Sequence, residues 1–91
     1  MNDFQAKHLT ISGTVQGVYY RASMKRKADE LGVSGWCRNL SDGRVEALVQ
    51  GTAKGLDGII AWAYDGPPDA RVADVQVADR KVESLRGFEI Q

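Results

Sequence analysis

The run Gly13-Thr14-Val15-Gln16-Gly17-Val18-Tyr19-Tyr20-Arg21 joins a glycine-bearing loop to the start of a segment with helical periodicity. Backbone N–H groups in a first helical turn have no intrahelical partner, so a loop feeding a helix N-terminus is a natural place for an anion. Arg21 sets a permanent cation at its mouth. A cation there opposes the helix dipole, at a cost of about 0.3–1 kcal/mol unless an anion compensates it. Gly13 and Gly17 fit an anion loop and ordinary turns equally well, and both readings stay open on these residues alone. The Gly-Lys-Ser/Thr ending of a P-loop is absent. Asn39, one residue before the end of a later strand, is the other polar side chain placed where it could act.

Other chemistries find little material. His8 is the only histidine, with no Cys, Asp or Glu at ligand spacing, so the sequence carries no zinc signature and no cofactor or metal is expected. Cys37 lies between Trp36 and Arg38 in a strand-like run, which suits a buried thiol acting as a small hydrophobe better than a nucleophile. Ser12, Ser23, Ser34, Ser41 and Ser84 have no evident histidine base.

The elements that must position the loop follow from periodicity. Residues Lys7 to Gly13 alternate, with Leu9 and Ile11 on one face, as a half-buried strand does. Tyr20, Met24, Ala28 and Leu31 recur at helical spacing, and Gly32 stands where a left-handed C-cap belongs. Gly35–Leu40 and Arg44–Gln50 read as strands paired across the turn Ser41-Asp42-Gly43, with Val45, Ala47 and Val49 facing inward and Leu48 outward. Thr52 is a candidate N-cap for a second helix with the stripe Leu56, Ile59, Ile60 and Ala63. Gly55 and Gly58 each cost such a helix about 0.8–1 kcal/mol relative to alanine, so packing must hold it. Arg71–Val77 alternates again, with Val75 and Val77 in register, and Gly87–Ile90 is a short closing strand. The order βαββαβ plus a short extra strand predicts an α+β, ferredoxin-like sandwich: an antiparallel sheet with two helices on one face.

Composition bounds the rest. With 91 residues, 43% hydrophobic and 26% charged, residues 1–91 are expected to form one domain. Twelve basic residues balance twelve acidic ones, which argues against broad capture of nucleic acid or membrane while leaving room for a local anion pocket. A lone cysteine precludes an intramolecular disulfide, and the segment from Met1 to Ala6 lacks the blocks of a signal peptide; a cytoplasmic protein is expected.

The stretch Gly13 to Arg21 resembles the signature loop of acylphosphatases, and Gly35-Trp36-Cys37-Arg38-Asn39-Leu40-Ser41-Asp42-Gly43-Arg44-Val45-Glu46 resembles their second signature, on the central hairpin. Lesser similarities extend over nearly the whole chain: Ala28-x-x-Leu31-Gly32, Gly66-Pro67-Pro68-x-Ala70-x-Val72 and Phe88-x-Ile90. The resemblance implies a ferredoxin-like fold and hydrolysis of the carboxyl-phosphate bond of acyl phosphates to a carboxylate and inorganic phosphate. It implies that Arg21 binds the phosphate and that Asn39 positions the attacking water. The cradle it implies comprises Val15, Gln16, Gly17, Val18, Tyr19, Tyr20 and Arg21. Tyr20 stands where phenylalanine is commonest, Cys37 where an aliphatic is usual, and Thr14 where a basic residue is frequent.

A carboxylate whose conjugate acid has a pKa of about 4 leaves without being protonated, so such chemistry needs no general acid. Asn39 has no basicity near neutral pH and can only orient water through its amide. The expectation is therefore a metal-independent acylphosphatase, a hydrolase of acid anhydrides, acting as a monomer on a small acyl phosphate with inorganic phosphate as product. Two alternatives accompany it. A noncatalytic anion-binding module of the same fold would need Arg21 and the loop but not Asn39. An RNA-binding sheet would need an aromatic cluster, of which Trp36 alone offers a part, and Lys25-Arg26-Lys27 reads more simply as a solvated helix face.

Overall fold

The computed structural model describes residues 3–91; Met1 and Asn2, part of the N-terminal segment read above, lie outside the described residues. In chain order the elements are β1 (Gln5–Thr14), α1 (Tyr20–Leu31), β2 (Ser34–Asn39), β3 (Val45–Gly51), α2 (Ala53–Asp65), β4 (Arg71–Arg80) and β5 (Phe88–Ile90). The sheet runs β4-β1-β3-β2-β5, with both helices packed on it. Leu9 and Ile11 of β1, Val45, Ala47 and Val49 of β3, and Cys37 of β2 bury their side chains against Tyr20, Met24 and Ala28 of α1 and Leu56, Ile59 and Ala63 of α2. This is the ferredoxin-like α+β sandwich that the periodicities predict.

One expectation needs correction: the sheet is mixed, not wholly antiparallel, because β5 pairs parallel to β2, with Gly35 beside Phe88 and Cys37 beside Ile90. The reason is topological. β4 ends with Arg80 opposite Ala6, at the end of the sheet where β2 begins with Ser34 opposite Gln50. A chain crossing to the far edge from that end must return in the direction of β2. The crossing is held by a two-way bond in which the Gln50 amide donates to Glu83 O (2.7 Å) and accepts from Glu83 N (2.8 Å).

Hydropathy also understates the strands. β1 and β4 stay paired to Ala6–Arg80, beyond the alternating residues, since the ladder depends on backbone groups rather than side chains. Val75 is buried, whereas Val77, in register with it, is 43% exposed on this edge strand. Leu48, expected outward, is buried on the sheet face opposite the helices, where Trp36 is its cross-strand partner. Gly13 belongs to β1 at the point where its register slips against β4; a Cβ there would lie 2.1 Å from Arg71 O. Gly55 and Gly58 mark the close crossing of the helices, since a Cβ at Gly58 would sit 3.0 Å from Leu31 Cδ1. Thr52 caps α2 as expected, its Oγ1 accepting from Gly55 N at 3.1 Å.

On the helix-free face, Glu46 accepts from Arg38 Nε and lies 2.7 Å from His8 Nε2. Burial opposes ionisation of Glu46, yet the His8 and Arg38 contacts prevail and hold its carboxyl below the usual carboxylate range. A carboxyl depressed in the folded state contributes stability above its unfolded pKa and loses it as pH falls through the folded value. Glu46→Gln is therefore expected to lower unfolding stability by about 1 kcal/mol at pH 7. In urea titrations the two proteins should converge as the pH is taken well below 4.

Candidate active site

Every strand end that matters for the site lies at one end of the sheet: Thr14 closes β1, Asn39 closes β2, Val45 opens β3 and Ile90 closes β5. α1 starts at that same end. The topology thus brings the loop after β1 beside the end of the β2–β3 hairpin, although 17 residues of sequence lie between Arg21 and Asn39.

The loop is shaped by three devices. Val15 is buried and anchors its base. Gln16 Nε2 donates to Leu40 O (2.7 Å) and Arg44 O (2.9 Å), so both amide protons fasten the loop to the hairpin that carries Asn39. Gly17 (φ 76°) and Tyr19 (φ 65°, ψ 23°) are left-handed, and Tyr19 is the one non-glycine residue at positive φ among those described. A bulky residue in that region costs of order 1–2 kcal/mol and persists only where its surroundings over-determine it. Here it turns the chain straight into α1. Tyr19 is also the N-cap of α1, yet no side chain caps the helix and no acidic residue occupies its first turn. The donors that a Ser, Asp or Glu would ordinarily satisfy have no side-chain partner here.

Tyr20 fixes the helix from behind. It is buried, donates its hydroxyl to Ala63 O at 2.7 Å and packs its ring 5.1 Å from that of Trp62. Burial, with a smaller push from Cys37, raises its phenol above the ordinary tyrosine range, so it remains a donor. Cys37 is buried as expected, 3.9 Å from Arg21 O. Desolvation outweighs the nearby Arg21 and Lys25 charges and pushes the thiol up to about 11, which removes it as a nucleophile at neutral pH.

Arg21 and Asn39 line the same cleft, of about 370 Å³, together with Gly17, Tyr19, Ala22 and Ile90, over Val15 and Tyr20. Arg21 Nη1 donates to Gln91 O at 3.1 Å, and Gln91 N in turn donates to Cys37 O at 2.8 Å, so the residue after β5 steadies the guanidinium against β2. The Asn39 side chain is exposed and makes no hydrogen bond within the described residues, leaving its amide open to the cleft. Asn39 shares its side of β2 with Cys37, whereas Trp36 and Arg38 point to the opposite face, where they stack at 5.4 Å.

Of the residues expected at the site, Val15, Gly17, Tyr19, Tyr20, Arg21 and Asn39 line the cleft. Gln16 and Val18 do not: Gln16 is spent on the hairpin and Val18 packs against the core. Sequence reasoning missed Ile90, Gln91 and the brace made by Gln16; a glutamine between two loop glycines carries no signal of which carbonyls it will reach. Trp62 and Tyr64 take no part, since Trp62 supports Tyr20 and Tyr64 donates to Val75 O. No group of three or more His, Cys, Asp or Glu gathers at metal-ligand distance among the described residues.

An uncapped helix N-terminus, a left-handed approach to it, and a guanidinium and an unbonded amide lining one cleft thus meet at one end of a ferredoxin-like sandwich. The acylphosphatase family model matches residues 7–90. An acylphosphatase of Haloquadratum walsbyi is 51% identical over 92% of this chain and 90% of its own length, and one of an Acidovorax species is 53% identical over 91% and 86%. The structure of an acylphosphatase from Coxiella burnetii superposes with a TM-score of 0.94, at 37% identity, covering 98% of this chain and 94% of that one. The chain belongs to the acylphosphatase family.

Proposed function

We propose that the protein hydrolyses acyl phosphates at the P–O bond by direct attack of water, with Arg21 binding the phosphoryl group and Asn39 orienting the nucleophile. The observation that carries this reading is the placement of Arg21 and Asn39 in one cleft at a helix N-terminus with no side-chain cap. The phosphoryl oxygens lie against the amides between Val15 and Arg21 and accept from the Arg21 guanidinium, which suits a planar, two-pronged contact. Water held by Asn39 attacks phosphorus, a new P–O bond forms, and the bond to the acyl oxygen breaks. The carboxylate leaves as an anion, and both water protons end on inorganic phosphate.

Phosphoryl transfer relies on positioning and on stabilising charge on the equatorial oxygens, both of which this cleft supplies. Phosphate monoesters lose a far more basic alkoxide, and the acid or metal to assist that is not among the residues of the cleft. All of these groups come from one chain, which supports a monomer as the working unit. Nucleic acid is not a partner in this reading: Trp36, on the open sheet face, is half-buried and stacks with Arg38, which Glu46 engages in turn. The buried, protonated Cys37 suits a reducing cytoplasm.

Chelator-treated protein is expected to release phosphate from benzoyl phosphate and to leave glycerol 3-phosphate, an alkyl monoester, essentially untouched. Loss of benzoyl phosphate turnover on chelation contradicts the metal-independent mechanism. Phosphate binding without any turnover identifies a noncatalytic anion module instead.

A further inference from the structure

The cleft does not end at Ala22. A second groove of about 330 Å³ shares Tyr19 and Ala22 with it and continues between α1 and the loop after α2, where Pro67, Pro68 and Asp69 form the facing wall and Arg26 stands at the far end. Tyr19, Ala22 and Arg26 are spaced i, i+3 and i+7, so they follow one ridge leading away from the helix N-terminus. From Tyr20 to Arg26 the helix rises roughly 9 Å, and its side chains lean back toward the N-terminus, which aims the Arg26 stem at Ala22 and the cleft.

The three consecutive cations of α1 are not equivalent. Lys25 bonds Asp29 (3.4 Å) and Phe88 O (2.8 Å), and Lys27 pairs with Glu30 (3.5 Å). The Arg26 side chain makes no hydrogen bond or ion pair within the described residues. Asp69, on the opposite wall, is also unpaired and does not come within ion-pair distance of it. The groove therefore offers proline and tyrosine surface beside the reaction cleft, then an uncommitted guanidinium one short acyl skeleton away.

We propose that this groove receives the acyl part of the substrate, and that Arg26 selects acyl phosphates bearing a second, distal carboxylate. The inference rests on the hydrolase reading above and narrows its substrate class. An apolar skeleton lies over Tyr19 and Ala22 against Pro67, while the terminal anion meets Arg26 in solvent; the carboxylate of Asp69 weakens that preference from across the groove. Arg26 is a specificity residue only, since it touches neither phosphorus nor the attacking water.

The test compares benzoyl phosphate with 4-carboxybenzoyl phosphate, two rigid substrates that cannot cyclise. Arg26→Ala is expected to lower kcat/KM for the carboxylated substrate about three- to fivefold, the range of an exposed charge pair, mainly through KM and mainly at low salt. It should leave benzoyl phosphate turnover and inhibition by inorganic phosphate unchanged. Asp69→Asn is expected to move the carboxylated substrate in the opposite direction. If both substrates turn over and Arg26→Ala leaves their ratio unchanged, or lowers both alike, the groove assignment is wrong while the hydrolase reading stands. If wild type hydrolyses neither, the reading and the inference fall together.

Discussion

Arg21→Ala is expected to lower kcat/KM for benzoyl phosphate by about 10²–10³-fold, or roughly 3–4 kcal/mol of transition-state stabilisation. The guanidinium is the one cation of the loop, and charge grows on the equatorial oxygens as the acyl bond breaks, so its contact strengthens in the transition state. Inhibition by inorganic phosphate should weaken in parallel, because the product uses the same contact. Arg21→Lys should recover only part of the loss, since an ammonium keeps the charge but not the planar fork, and gives up the bond to Gln91 O. An Arg21→Ala protein that binds phosphate with unchanged affinity sinks the assignment.

The same substitution should leave the fold intact. Arg21 is half-buried, and the one bond of its side chain within the described residues is to Gln91 O, whereas its charge opposes the dipole of an uncapped helix. Removing it relieves about 0.3–1 kcal/mol of unfavourable electrostatics and forfeits a hydrogen bond of similar worth. The melting temperature is expected to stay within a few degrees. Large loss of activity at nearly constant stability is the signature of a residue that serves the substrate rather than the fold.

How the sequence encodes this site differs from part to part. The period of Tyr20, Met24 and Ala28 and the alternation of Val45, Ala47 and Val49 expose the helix and strand faces because burial acts on side chains. Arg21 was legible because a cation at that helical position contradicts the local electrostatics. The parallel pairing of β5 was not, since strand direction follows from where β4 ends, a property of the assembled sheet. Leu48 is buried though it sits on the outward face, and Val77 is exposed though Val75 beside it is buried, because sheet edges and the crossing segment decide which positions are covered. The left-handed Tyr19 gave no local warning either: a large aromatic is a poor candidate for φ 65°, and Tyr20, Gln16 and the hairpin together impose it. Arg21 and Asn39 were both visible as letters, but their meeting in one cleft depends on the antiparallel path from β1 through β3 to β2.

Asn39→Ala is expected to reduce kcat on the order of 10²-fold while leaving KM and inhibition by phosphate close to wild type. Asn39 contributes to the anion cradle neither a charge nor a main-chain turn, and its exposed amide has no internal bond to lose, so the fold and the phosphate contact survive its removal. What disappears is a donor and an acceptor that fix one water in line with the breaking bond, and a slightly misplaced nucleophile is enough for a loss of this size. Asn39→Asp separates orientation from basicity. If the residue served as a base, a carboxylate would restore or exceed wild-type kcat; as an orienting amide facing a phosphate dianion, its replacement by a second negative charge should lower kcat further and raise KM as well. Equal kcat in wild type and Asn39→Ala, measured on the same acyl phosphate, would remove the attacking water from this side of the cleft and leave Arg21 and the loop as a binding site alone.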